Sequence, residues 1–329
     1  MRINDRVTAI AARIAEHRGV GSRHILDSKA LIERAKTLKG DHRVARIEEI
    51  RMMAFAALHG VQGPFDAWHY YAELKKLRRN PPSILFNEAL VATCVFGQLR
   101  PSGTVRALGT LRAQREEQGQ LQEFLAFEAL LGDRIPTNHG YSGQTFDTMD
   151  HSRIWGAVGG HIEALGRMGY RCFLNSGTLL GVVRDGKLID HDDDVDLALI
   201  LQADNEADAA EEWRQLWARL GELGLDGAGG LKSPGIYKLK GQDGCEIDLF
   251  PAWVKEGRMY IYPHTYGELS ADEVLPLASC KVSGRPMPAE PEKMLAVNYG
   301  PEWRQPDPYF KFPWSRAKVR FHNFLEAVA

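Results

Sequence analysis

The sequence predicts an α+β domain, a mixed sheet with flanking helices, preceded by an all-α helical domain. Up to about Leu131 apolar residues recur at helical spacing, as in Phe65, Trp68, Tyr71, Leu74 and Leu77, and no strand pattern interrupts them. Beyond about Asp150 short apolar runs alternate with amphipathic stretches, as expected when strands and helices mix. One of those runs also carries an acidic sequence, Asp192-Asp193-Asp194-Val195-Asp196, at its start.

In the helical part, proline marks the breaks at Gly63-Pro64, Asn80-Pro81-Pro82 and Arg100-Pro101-Ser102-Gly103. The helices between them are similar in length and would suit tetratricopeptide-like hairpin repeats, with an irregular bundle as the plainer reading. Residues 1–140 therefore form the helical domain and 150–329 the second domain, joined by a stretch holding Pro136, Asn138, Gly140 and Gly143. In the second domain a helix from about Ser152 to Met168 leads into a strand, Arg171 to Leu174, and then into a helix opened by Asn175-Ser176-Gly177-Thr178. Asp194 to Leu201 reads as a buried strand and Asp204 to Leu223 as a helix burying Trp213, Leu216, Trp217 and Leu220. Further strands are expected over Gly235 to Lys240 and Cys245 to Phe250, and a hairpin over Val254 to Tyr262 turning at Glu256-Gly257.

Composition bounds the function. The chain has 329 residues, 44% of them apolar, enough to bury two cores. Its 41 Lys and Arg nearly balance 43 Asp and Glu, so no global field draws in nucleic acid or an anionic membrane. The four cysteines, Cys94, Cys172, Cys245 and Cys280, stand singly, which argues for buried thiols and against a zinc knuckle. Charges through the first twenty residues do not suit a signal peptide, and no later run suits a membrane span, so a soluble cytoplasmic protein is expected.

The acidic run carries the chemistry. Asp194 and Asp196 are two apart on a strand, so they share a face about 7 Å apart, close enough to hold one cation, with Asp192 joining from the loop. Strand alternation turns Asp193 away. Asp248 lies between Ile247 and Leu249, where an ionised group has no structural reason to be, and a paired strand would bring it beside the first two. Hard oxygen ligands suit Mg²⁺ or Mn²⁺. A calcium loop of the EF-hand type is rejected, because Leu197 and Ala203 stand where Gly and a bidentate Glu are required.

Ser176-Gly177-Thr178 stands where a strand gives way to a helix, a place that favours a phosphate, although either hydroxyl would also serve as an ordinary helix cap. Arg184 and Lys187 follow it and are candidate phosphate contacts, or simply complement the helix dipole. Lys238 and Lys240 share one strand face and read as facing water, and His191 reads as uninvolved. The aromatic residues Trp303, Tyr309, Phe310, Phe312 and Trp314 read as packing of the C-terminal tail.

These motifs together resemble the LicD and fukutin-related family of phosphotransferases. The likeness runs through Asn175-Ser176-Gly177-Thr178-Leu179-Leu180-Gly181, Arg184, and Ile189 to Asp196, then Glu246-Ile247-Asp248-Leu249-Phe250, and more loosely to Trp303. Asp190-His191 replaces the family's usual Pro-Trp. The resemblance implies a nucleotidyltransferase fold, two Mg²⁺ or Mn²⁺ ions and a CDP-linked donor such as CDP-ribitol. It implies transfer of ribitol or glycerol phosphate or phosphocholine to a glycan hydroxyl, with release of CMP. Asp194, Asp196 and Asp248 become catalytic metal ligands, with Asp192 in support, and Asp248 is also a candidate base. Ser176, Gly177, Thr178, Arg184 and Lys187 become the substrate-binding set. The partners implied are the donor, a capsule-like surface glycan, and peripheral contact with its assembly complex, the helical domain docking acceptor or partner. Two alternatives stand beside this: true nucleotidyl transfer from an NTP with release of pyrophosphate, and a non-catalytic helical-repeat protein with a structural ion.

Overall fold

The computed structural model describes residues 42–329 apart from 62–63, 133–134, 137–139, 143–144, 228–232, 243, 308 and 311. These fall into two compact units, one drawn from residues 1–143 and 309–311, the other from 144–308 and 312–329.

The first unit is helical: α1 (His42–Leu58), α2 (Ala67–Leu77), α3 (Ile84–Gly97), α4 (Pro101–Glu117) and α5 (Leu121–Ala129), followed by a short hairpin, β1 (Ile135–Pro136) and β2 (Tyr141–Ser142). Local chemistry sets the boundaries. Asp66 caps α2 by accepting from the His69 amide, Ser83 caps α3 by accepting from the Phe86 amide, and Pro101 opens α4 at the position where its missing N–H costs nothing. α3 packs on α1, α2 and α4. The core between them is apolar, with Ile50, Phe55, Leu74, Phe86, Leu111 and Phe124 among its members. Tyr309 returns to this unit, its ring edge-on to Phe124 and its hydroxyl bonded to Glu128. An ionic network runs through the interior: the Arg51 guanidinium donates to both oxygens of Glu48, at 2.8 and 2.8 Å, and to Glu88 at 2.7 Å, and Glu88 also accepts from Arg115.

In the second unit, α6 (His151–Arg167) packs on β3 (Arg171–Leu174), which turns directly into α7 (Ser176–Arg184) and then β4 (Asp194–Ile200). α8 (Glu206–Glu222) connects onward to β5 (Tyr237–Leu239), β6 (Glu246–Lys255), β7 (Arg258–Ile261) and β8 (Thr265–Ser270). A short 3-10 turn at Ala271–Glu273, the pair β9 (Ala278–Ser279) and β10 (Pro286–Met287), and helices α9 (Pro291–Tyr299), α10 (Trp314–Arg320) and α11 (His322–Val328) complete it. The sheet runs β3-β4-β6-β7-β8, with β5 on β6 as a sixth strand. It is mixed: β4 and β6 are parallel and the other pairs antiparallel. The α+β architecture with a helical region ahead of the sheet is the one the sequence predicts.

β6 is longer than its apolar run suggested, continuing through Pro251 to Lys255. The proline is accommodated by a gap on one edge of the strand. β5 pairs Ile247 to Leu249 there and β7 takes over at Ala252, so the missing N–H of Pro251 falls between the two partners. Its carbonyl still accepts from the Tyr262 amide at 3.0 Å. The hairpin turns at Glu256-Gly257 as expected, both residues having positive φ, 50° and 72°. All four cysteines are buried and free. Among the described residues no helix is long and apolar enough to cross a membrane.

Arg51 supplies the shared cation for two interior carboxylates, and Arg51→Met takes away the guanidinium that Glu48 binds through both oxygens and leaves Glu88 to Arg115. Its expected cost is about 3–5 kcal/mol of unfolding free energy in a urea titration; a loss below about 1 kcal/mol would mean that these groups gain little from the pairing.

Candidate metal centre

Strand register builds the site. Parallel pairing of β4 with β6 sets Asp194 opposite Glu246 and Asp196 opposite Asp248, and antiparallel pairing of β5 with β6 sets Lys238 opposite Asp248. Directly paired residues share a sheet face, so Asp196, Asp248 and Lys238 form one row across three strands, with Asp194 and Glu246 beside it. Asp194, Asp196, Asp248 and Lys238 are all buried.

The turn from β3 into α7 is fastened to Asp196 three ways. The Asn175 amide donates to the Asp196 carbonyl at 3.0 Å, the Gly177 amide to its carboxylate at 2.8 Å, and the Asp196 amide to the Thr178 hydroxyl at 2.9 Å. Space is tight at Gly177: a Cβ there would lie 3.0 Å from an Asp192 carboxylate oxygen and 3.3 Å from one of Asp196. Two carboxylates therefore converge on a backbone position without a side chain. The loop carrying Asp192 is itself held by the Phe146 amide, which donates to the Asp192 carbonyl at 2.9 Å, and by the Asp147 amide on the Asp190 carbonyl at 3.1 Å.

Neither hydroxyl of the Ser176-Gly177-Thr178 motif caps α7. Thr178 serves Asp196, and Ser176, with φ of 43°, has its Oγ 2.9 Å from Nε2 of His264. His264 is buried against Phe312 and beside Tyr299, and burial pushes its pKa down to about 3, so the ring is neutral.

Ligand oxygens of Asp192, Asp193 and Asp194 lie within 4.8 Å of one another. Asp193 thus joins the cluster rather than turning away, because β4 begins only at Asp194 and strand alternation does not govern the residue before it. Burial and then the charges of Asp194, Asp192 and Asp248 hold the Asp196 carboxyl well above the usual carboxylate range, against the hydrogen bond from the Gly177 amide. Burial and then the charges of Asp196, Asp192 and Asp194 raise the Tyr299 phenol. Cys245 is likewise pushed up to about 12, first by burial and then by Asp194, Asp193 and Asp192, which removes it as a nucleophile. A cluster of buried hard oxygen donors that resist one another's ionisation fits a divalent cation, which would relieve the repulsion directly.

Lys238 corrects the expectation that it faces water. Its ammonium lies 2.9 Å from Asp248 and also contacts Glu246, and although burial opposes its charge, these two carboxylates outweigh that and hold its pKa well above the usual lysine range. Lys240 is past the end of β5 and exposed. Arg184, at the far end of α7, is bound through two donors to Asp185 at 2.8 and 2.7 Å, with its side chain only 10% exposed. Lys187 stands at the surface, paired with Asp190. His191 is exposed. The C-terminal aromatics divide: Trp303 is buried, Phe312 packs on His264, Trp314 is exposed, and Tyr309 belongs to the helical unit.

Sequence reasoning missed Glu246 and His264. The first was legible, since Glu246 and Asp248 obey the same two-residue alternation as Asp194 and Asp196. His264 comes from the turn between β7 and β8, 88 residues from its partner, with no local signal.

Residues 169–291 match the LicD/FKTN/FKRP nucleotidyltransferase domain. The matched segment contains Ser176, the whole carboxylate cluster, Lys238 and His264. No curated protein matches the chain.

At neutral pH an ionised Asp196 destabilises the metal-free fold. Because its folded pKa lies above the unfolded value, that penalty is present at high pH and fades as pH falls. Asp196→Asn is therefore expected to raise the melting temperature in EDTA at pH 7.5, with an advantage over wild type that shrinks on acidification, and to abolish the stabilisation that Mn²⁺ produces. Equal melting temperatures at pH 7.5 would contradict the repulsion.

Proposed function

From a LicD-type nucleotidyltransferase domain over residues 169–291, we propose that this chain transfers a phospho-alcohol from a CDP-linked donor to a hydroxyl of a surface glycan and releases CMP. Ribitol phosphate, glycerol phosphate and phosphocholine are the groups of this class. The observation that supports it most is that Asp192 and Asp196 meet at Gly177 at the start of α7, with Asp193 and Asp194 clustered with Asp192 and Asp248 paired to Asp196 across the sheet.

Asp192, Asp194, Asp196 and Asp248 would hold Mg²⁺ or Mn²⁺. A divalent ion there supplies Lewis-acid stabilisation of charge on the phosphoryl oxygens and the departing nucleotide. The start of α7 offers the helix dipole to the donor's diphosphate, and Gly177 lets it approach the backbone closely. His264, neutral and fixed by Phe312, orients the Ser176 hydroxyl at the same end. Arg184 adds positive charge near Tyr299, whose phenol stays protonated. Lys187 is placed to meet only the outer part of a bound donor.

In the reaction the acceptor oxygen bonds to the phosphorus that carries the alcohol. The bond from that phosphorus to the oxygen retained by CMP breaks, and the hydroxyl proton passes to Asp248. Lys238 pairs with Asp248 at 2.9 Å and holds the carboxylate in place for that transfer. Burial of the site limits hydrolysis by bulk water. The helical unit serves acceptor or partner docking, in the cytoplasm and at the periphery of a polysaccharide assembly complex.

Incubation with CDP-ribitol, CDP-glycerol or CDP-choline and Mg²⁺, with and without glycan acceptors, is expected to release CMP from one donor. EDTA should stop it, and Asp194→Ala should slow it by roughly a thousandfold or more, since several kcal/mol of charge stabilisation go with the ligand. CMP from none of the donors, or pyrophosphate from an NTP instead, would overturn the reading.

A further inference from the structure

Lys238 has no part in the expectations drawn from the acidic run, yet it is built into the same row. Its Cα partner across β5 and β6 is Asp248, and the Cα partner of Asp248 across β6 and β4 is Asp196. The three side chains therefore stand side by side on one sheet face, in an order fixed by backbone pairing. Lys238 is 6% exposed, and its ammonium binds Asp248 Oδ1 at 2.9 Å together with a Glu246 carboxylate oxygen. Two ion pairs, one of them buried, resist its displacement.

We infer that Lys238 is the second cation of this site: its ammonium occupies the Asp248–Glu246 end of the carboxylate cluster, and a single divalent ion occupies the Asp192–Asp194–Asp196 end. This rests on the metal-dependent transfer proposed above and departs from the two ions that the family resemblance implies. In two-metal sites the ions stand about 3.5–4 Å apart and share a carboxylate. Here Asp248 Oδ1 accepts from an ammonium that Glu246 also holds. A second divalent ion would have to break both contacts and then sit beside the displaced positive charge. The fixed ammonium supplies positive charge at that end of the site at any metal concentration, so only one ion must be recruited for the donor phosphates to be bound.

The experiment is a Mn²⁺ titration of the full chain, counting bound ions from the electron paramagnetic resonance signal of free Mn²⁺. One ion per wild-type chain is expected, lost in Asp194→Ala. Lys238→Arg, which keeps the charge, should also bind one, and Lys238→Met should bind two, the second at the vacated Asp248–Glu246 end. Two ions on the wild type would overturn the inference while leaving metal-dependent transfer intact, and so would a single ion on Lys238→Met. No bound ion on the wild type would overturn both. Should Lys238→Met fail to fold by circular dichroism, the wild-type and Lys238→Arg counts decide the question.

Discussion

The second unit is organised around the parallel pairing of β4 with β6 in one register. Asp196 opposite Asp248, and Asp194 opposite Glu246, crowd negative charge onto a buried sheet face. A slip of one residue would turn Val195 and Ile247 to that face and the carboxylates into the apolar core, so the hydrophobic pattern enforces the charged one. The cost of that crowding appears in the raised pKa of Asp196. Such an arrangement is retained where a ligand relieves it, and a divalent cation would do so.

Around that face each element has a definite task. The β3–α7 turn is bonded to Asp196 by three hydrogen bonds, which sets a helix N-terminus beside the carboxylates. Gly177 keeps the junction open where a methyl group would touch two carboxylates. His264 reaches in from the opposite end of the sheet to hold Ser176, and Lys238 closes the row beyond Asp248. α8 connects the end of β4 to the β5–β6 pair, which lets β4 and β6 run parallel.

Much of this was legible in the sequence, because it rests on short periodicities. Asp194 and Asp196 declare a shared face, and Asp248 declares itself by standing between Ile247 and Leu249. What escaped depends on long-range pairing. Lys238 and Lys240 look equivalent on a strand, but β5 stops at Leu239, and only pairing with β6 reveals that Lys238 meets Asp248. Asp193 was misjudged by carrying strand geometry one residue beyond the strand. Ser176 and His264 are joined only by the folded chain. In the helical unit, Glu48, Arg51 and Glu88 lie on faces that also carry apolar residues, and nothing local distinguishes their buried network from solvated charge.

The central claim is that these carboxylates and the start of α7 form one site for a metal-bound diphosphate. Crystals soaked with Mn²⁺ and CDP test it most directly through the anomalous signal of manganese. The account predicts a peak within coordination distance of Asp194 and Asp196, with the CDP diphosphate at the N-terminal end of α7. Manganese bound away from these aspartates, or a diphosphate seated away from α7, would contradict it.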